Sequence, residues 1–368
     1  MKTMKTMKTM KTMKTMKTNK TKGNLKSNYT RKQKKNFTNQ LLNLEKGNII
    51  KDFSRLREIG CHLKKGTLSR TGNDVVNNFT MEERLNTIGN KGVNFFDVWK
   101  NHRELTKQYP YLKKMIQFYK IHKKGVSEIK MWWRIFNLYY GSISIFKPLT
   151  AMEIYCKYKP TSILDFTMGW GGRLVGACAL DIPKYTGIDY NDRLVVPYQK
   201  LTDFLRENSQ TQITTYFQDA LTVDYSTIDY DMVLTSPPYY NLEIYGDQSK
   251  DTDSNRNSKT KEEWDADFYK PLFERTFKHL KVGGHYCLNI PTEIYERAAI
   301  KILGPADEKI LMPKSRRNKQ RLSKFTEEYI YVWIRGRSPK APSEPQVGAS
   351  EAGSNPLKPP SVAWLNAE

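Results

Sequence analysis

Across residues 160–335, short apolar runs with a period of two alternate with longer runs whose apolar positions recur every three or four residues. Ile163-Leu164-Asp165, Tyr185 to Asp189, Ile213 to Ala220, Asp229 to Leu234, His285 to Ile290 and Glu328 to Ile334 read as strands. Leu174 to Leu180 and Trp264 to Leu280 read as intervening helices, and Met152 to Lys159 as a helix before the first strand. Strand alternating with helix predicts an α/β fold, a doubly wound sheet with helices on both faces. From Leu41 to about Tyr140 the pattern is helical and mixed in charge. This predicts a small, mainly helical accessory module at 41–144 ahead of the α/β domain at 145–335. Its densest apolar segment, Trp132, Trp133, Ile135, Phe136, Leu138, Tyr139 and Tyr140, reads as core that packs the module onto that domain.

The punctuation at two strand ends carries the chemistry. After Asp165, the turn Phe166-Thr167-Met168-Gly169-Trp170-Gly171-Gly172-Arg173 opens a helix. Glycines there admit close approach of a ligand to the backbone, and a helix start offers unpaired N–H groups. A nicotinamide fingerprint calls for a third glycine where Leu174 stands, so that reading is the weakest. Asp189 ends the second strand about 20 residues on, a position from which an acid binds a ribose diol. Asp219 ends the third. The fourth runs into Thr235-Ser236-Pro237-Pro238-Tyr239, where two prolines stop the ladder and force a rigid turn. Backbone acceptors beside an aromatic ring suit a planar base bearing an exocyclic amine.

With these residues in order, residues 145–335 resemble the S-adenosylmethionine-dependent amino methyltransferases of DNA, which act on cytosine N4 or adenine N6. Their cofactor motif, an acid followed by F-x-G-x-G, is matched by Asp165, Phe166, Gly169 and Gly171, with one residue more than usual before the first glycine. Their (D/N/S)-P-P-(Y/F/W) motif is matched by Ser236, Pro237, Pro238 and Tyr239. The wording of both turns is similar to DNA methylases of phages and large DNA viruses. The resemblance implies a Rossmann-like class I methyltransferase sheet and S-adenosyl-L-methionine as cofactor. It implies that Asp189 takes the ribose hydroxyls, Asp219 the adenine amino group, and Gly169, Gly171 and Gly172 the methionine part, with Asp165 ordering the loop. Ser236 and the Pro237 carbonyl would accept the amine N–H bonds while Tyr239 stacks on the base. Serine in the first motif position points to cytosine N4, whereas the order of the motifs is common among adenine enzymes. RNA or a protein glutamine as target, and a non-catalytic DNA-binding protein, remain open.

Composition then limits the setting. The 368 residues hold 38% hydrophobic and 12% aromatic side chains, enough for a packed core. No apolar run approaches the roughly 18 residues of a membrane span, and the N-terminus has no apolar leader segment. The net charge of +23 is concentrated locally. Residues 1–40 form a basic, low-complexity stretch that opens with a Met-Lys-Thr array and reads as a disordered tail. Within it Arg31-Lys32-Gln33-Lys34-Lys35 reads as a nuclear address or phosphate-binding arm. Residues 336–368 read as a second disordered tail. The polar stretch from Gly246 to Glu263 follows the Pro-Pro turn and reads as a lid. Lys314, Arg316, Arg317, Lys319, Arg321 and Lys324 lie before the last strand and are expected to meet DNA phosphates. Cys61, Cys156, Cys178 and Cys287 form no CxxC pair, and the five histidines add no metal-spacing cluster. The expectation is reduced thiols, no metal, and an intracellular protein in the cytoplasm or nucleus of a host cell.

Overall fold

A computed structural model of the protein describes residues 26–43, 46–63, 66, 69–89, 92–123, 125–141, 143–240, 243–244, 259–312 and 328–337. The Met-Lys-Thr array, most of the expected lid, the six basic residues from Lys314 to Lys324 and nearly all of the C-terminal tail lie outside them.

The helices ahead of the sheet are α1 (Arg31–Leu42), α2 (Lys46–Ile59), α3 (Asn73–Asn86), α4 (Phe95–Gln108), α5 (Pro110–His122), α6 (Glu128–Tyr139) and α7 (Pro148–Tyr158). Helix α1 corrects the expected disorder over residues 31–40, while residues 1–25 lie outside the described residues. Thr30 and Gln33 form a reciprocal capping box, Thr38 and Leu41 are buried, and the Phe37 ring meets Tyr29 and Trp99. Apolar positions four apart, Phe37 and Leu41, sit among lysines whose charge dominates the composition. The basic run Arg31 to Lys35 is therefore the first turn and a half of a docked helix, and Lys34 bonds Asn86.

The sheet comprises β1 (Ser162–Asp165), β2 (Lys184–Asp189), β3 (Gln212–Phe217), β4 (Met232–Thr235), β5 (His285–Pro291), β6 (Glu308–Leu311) and β7 (Glu328–Ile334). Its spatial order is β3-β2-β1-β4-β5-β7-β6. The first five are parallel, and β7 runs antiparallel to both β5 and β6. This is an open α/β sheet with helices on both faces, as the alternation of strand and helix predicts, and one antiparallel strand is inserted at its far edge. Strands β1 and β4 are buried at every position, as expected of central strands covered on both faces.

Alternation divides the core. Ile163, Met232, Leu234 and Cys287 face a cluster built by α7, α8 (Gly172–Ala179) and α9 (Val195–Asn208). Leu164, Val233 and Leu288 face the other side, where a helical stretch from Lys261 through a π segment into α10 (Lys270–His279) brings Trp264, Leu272 and Phe273. Phe53 and Leu56 of α2 and Val75 and Val76 of α3 belong to the first cluster, so packing is continuous across the expected boundary at 144. Each such side chain contributes roughly 1.5–3 kcal/mol on burial.

Trp132, Ile135 and Phe136 correct a second expectation. They fill a separate cluster with Met81, Phe95, Phe96 and Leu105, holding the helical module together from inside rather than docking it, while Leu138 is 69% exposed.

The cysteines give a third correction. Cys61, just past α2, and Cys156, in α7, form a disulfide, their Cα atoms 5.5 Å apart, in place of the expected reduced thiols. They lie 95 positions apart in the sequence, so spacing carried no sign of the pair. Cys178 and Cys287 are free and buried, and burial pushes the Cys178 thiol up to about 12. Among the described residues no cluster of metal-ligating side chains occurs, and no helix is long and apolar enough to cross a membrane.

Candidate active site

In an open α/β sheet, ligands bind beyond the carboxyl ends of the strands, where the strand order reverses. Here that point lies between β1 and β4, neighbours in the sheet although 70 residues apart in sequence. The glycine turn leaves β1 and the Ser-Pro-Pro-Tyr turn leaves β4, so the topology sets the two motifs side by side.

Asp165 ties them together. Its carboxylate is fully buried and accepts from Arg173 Nε at 2.7 Å and Nη2 at 3.1 Å, Tyr185 Oη at 2.6 Å and Thr235 Oγ1 at 2.8 Å. Thr235 spends its only proton on Asp165, so at the 2.6 Å contact between the two hydroxyls Thr167 is the donor. Thr167 lies in the first turn and Thr235 enters the second, giving a hydrogen-bonded brace from one motif to the other. With four donors in place Asp165 orders this brace and has no role as a direct ligand. Phe166 is corrected as a cofactor contact. One residue on from Asp165, it points to the opposite face, is fully buried and packs near Phe273 and Tyr286.

Of the three glycines in the turn, Gly169 has room beside it, the nearest atom to an added Cβ lying at 3.8 Å, whereas a Cβ on Gly171 would lie 2.7 Å from Leu201 Cδ2. Gly169 and Gly171 have φ of +56° and +89°, a region that disfavours side chains. Tyr198 Oη holds the turn through the carbonyls of Met168 at 3.2 Å and Gly169 at 2.9 Å. Gly172 serves a different partner from the one expected. A Cβ there would lie 1.8 Å from the carbonyl oxygen of Phe146, so the chain leading into α7 fills that space. The Phe146 ring lies 5.1 Å from the Arg173 guanidinium, fixing the same segment. From the helical module, Thr80 Oγ1 reaches the Trp170 carbonyl and Arg84 the Ile143 carbonyl at 3.1 Å.

Asp189 ends β2 beside this turn. Its Oδ2 accepts the Gly169 N–H at 2.8 Å and its Oδ1 the Asn191 N–H at 2.9 Å. A carboxylate oxygen has two acceptor positions, so among the described residues each oxygen of Asp189 keeps one unfilled. Burial pushes the Asp189 carboxyl above its ordinary range, against the lowering effect of those two N–H groups. Asp219 lies two residues beyond β3 and caps a short 3₁₀ turn, accepting from Leu221 N at 3.0 Å.

At the second turn, Tyr239 Oη donates to the backbone carbonyl of Asn289 at 3.1 Å and lies 3.1 Å from Ser236 Oγ. A phenol has one proton, so Ser236 must be the donor to Tyr239, and the lone pairs of Ser236 Oγ are left as acceptors. The Pro238 carbonyl is taken by Tyr269 Oη at 2.5 Å, whereas the Pro237 carbonyl has no partner among the described residues. Tyr240 follows with φ of +52°, its N–H given to the same Tyr269 hydroxyl at 3.3 Å. The turn thus presents Ser236 Oγ and the Pro237 carbonyl as acceptors, with the Tyr239 ring tethered beside them.

Sequence reasoning missed Thr167, Arg173, Tyr185, Tyr198, Thr235, Tyr269 and Asn289. Thr167, Arg173 and Thr235 lay inside the quoted turns without being assigned a role; the others approach from distant parts of the chain.

No protein-family model and no curated protein matches this chain. Among solved structures it is similar to TrmN from Thermus thermophilus, at 14% identity over 51% of this chain and 48% of that one, with a TM-score of 0.37. A protein described as an rRNA methylase from Clostridium thermocellum matches at 14% identity over 53% of this chain and 100% of its own, with a TM-score of 0.33. Geranyl diphosphate C-methyltransferase from Streptomyces coelicolor, solved with S-adenosyl-L-homocysteine, matches at 12% identity over 47% of this chain and 70% of its own, with a TM-score of 0.32. No residue role in this chain rests on these likenesses.

Proposed function

We propose that the protein transfers a methyl group from S-adenosylmethionine to an exocyclic amino group of a DNA base, cytosine N4 favoured over adenine N6. The observation that carries this reading is the bracing of the glycine turn to the Ser-Pro-Pro-Tyr turn across β1 and β4, with Ser236 left as an acceptor. The donor set suits the cofactor: open backbone at Gly169, and at Asp189 a carboxylate with an acceptor position free on each oxygen for a ribose diol. When bound, S-adenosylmethionine supplies a methyl group already activated on a sulfonium.

The protein's part is then alignment. An exocyclic amine is a weak nucleophile because its lone pair is delocalised into the ring. Ser236 Oγ and the Pro237 carbonyl, accepting its two N–H bonds, turn that lone pair out of conjugation. Tyr239, tethered through its hydroxyl, offers its ring as a wall for an extruded base. The surplus proton becomes acidic only after the new bond forms, so no strong base is required. Lys314, Arg316, Arg317, Lys319, Arg321 and Lys324 are proposed to hold the phosphates.

Mass spectrometry of nucleosides from DNA incubated with the protein and labelled cofactor tests the proposal. N4-methylcytosine is the expected product and N6-methyladenine would reverse the base preference. Label appearing in RNA or on a protein glutamine instead would overturn DNA as the target.

A further inference from the structure

Asn289 stands at the carboxyl end of β5, the strand beside β4. Thr235 is level with Leu288 in that pairing, so Asn289 is level with Ser236. It lies two residues beyond Cys287 as Ser236 lies two beyond Leu234, and both of those face the same cluster. Its backbone carbonyl is the group that tethers Tyr239. The side chain is 3% exposed, and its amide nitrogen Nδ2 is buried without a hydrogen-bond partner. A buried donor left unpaired is costly, and native structures tolerate one chiefly where a ligand or ordered water completes it. An apolar residue would fill the position at lower cost if packing were its only duty.

We infer that the Asn289 side-chain amide reads the target, donating through Nδ2 to the ring nitrogen next to the amino group that is methylated. The inference rests on the amino-methylation reading and deepens it. Cytosine and adenine share one edge, an amino group on a carbon doubly bonded to a ring nitrogen: N4 beside N3 in cytosine, N6 beside N1 in adenine. Ser236 supplies an acceptor for the amine, and Asn289, level with it one strand away, supplies a donor for the nitrogen. Acceptor and donor side by side complement that edge and reject the carbonyl and N–H of thymine or guanine, whose polarity is reversed. No covalent step is assigned to Asn289.

The test changes one atom on each side of the proposed bond. Transfer of labelled methyl is measured on oligonucleotides carrying cytosine or 3-deazacytosine, and adenine or 1-deazaadenine, in which C–H replaces the ring nitrogen. The parent should favour the natural base by roughly tenfold in kcat/KM, the worth of one hydrogen bond. Asn289→Leu should lose about that factor on the natural base and show no preference between base and analogue. Its affinity for S-adenosylmethionine, measured by titration calorimetry, should equal the parent's. If Asn289→Leu folds poorly, Asn289→Ala serves instead, since it too has no side-chain proton to donate and should likewise abolish the preference. Equal losses on base and analogue, or no preference in the parent, would overturn the role of Asn289 while leaving amino methylation standing. A parent that binds cofactor yet methylates no base in any oligonucleotide would overturn the functional reading itself, and the inference with it.

Discussion

Asp189 serves the glycine turn with one acceptor position on each oxygen and is proposed to serve a ribose with the other. Asp189→Ala should therefore weaken S-adenosylmethionine binding by roughly 1.5–3 kcal/mol, as for hydrogen bonds to a charged group. A titration showing unchanged affinity would remove it from the site. Burial raises its carboxyl pKa, so the protonated form, which holds a diol less well, appears at higher pH than for an exposed aspartate. Affinity should fall as pH drops into the acid range, and Asp189→Asn should flatten that fall in parallel titrations. At the other turn, Ser236→Ala removes an acceptor, whereas Tyr239→Phe removes only the tether that orients it. Both should lower kcat with cofactor affinity retained, Ser236→Ala by the larger factor. Equal loss of cofactor binding in both variants would mean that the turn serves the cofactor or the fold.

Among the elements, the strands bearing acids or prolines at their ends were legible because period-two runs stop at unmistakable punctuation, and the helix after the glycine turn followed from the same logic. Helix α1 was not legible, because two apolar positions four apart are outvoted by the lysines around them. The brace through Thr167, Thr235 and Asp165 was also hidden, since it depends on β1 and β4 being neighbours, and the β-strand period says nothing of spatial order. Gly172 shows the same limit. Its three-glycine setting suggested a ligand, yet its close neighbour is a backbone carbonyl 26 residues earlier. Gly172→Ala should push the chain at Phe146 outward and lower the melting temperature. A variant as stable as the parent would show that the chain before α7 yields freely.

For the molecule as a whole, the strongest positive charge and the candidate site lie on different stretches of the chain. The site side chains lie in a well-packed sheet crevice, whereas the strongest cationic runs lie at the N-terminus and between β6 and β7. Changing Arg316, Arg317, Lys319 and Arg321 to glutamine in the full chain should reduce the log–log salt slope of duplex binding by about 0.9 for each phosphate no longer neutralised. The N-terminal lysines are common to parent and variant, so the difference isolates these four residues. An unchanged slope would leave phosphate binding to the N-terminal segment or the helical module.

The bridge between Cys61 and Cys156 makes a closed ring of covalent bonds out of 95 residues of sequence separation. Apart from Leu41, every buried member of the helical module's own cluster, from Met81 to Phe136, lies inside that ring. One peptide bond cut anywhere within it releases nothing: the two pieces stay joined and separate only when a reductant opens the bridge. A break in the chain there leaves the two pieces travelling as one molecule until the thiols are freed, and the helical module cannot be lost from the sheet by a single cleavage inside the ring while Cys61 and Cys156 are oxidised.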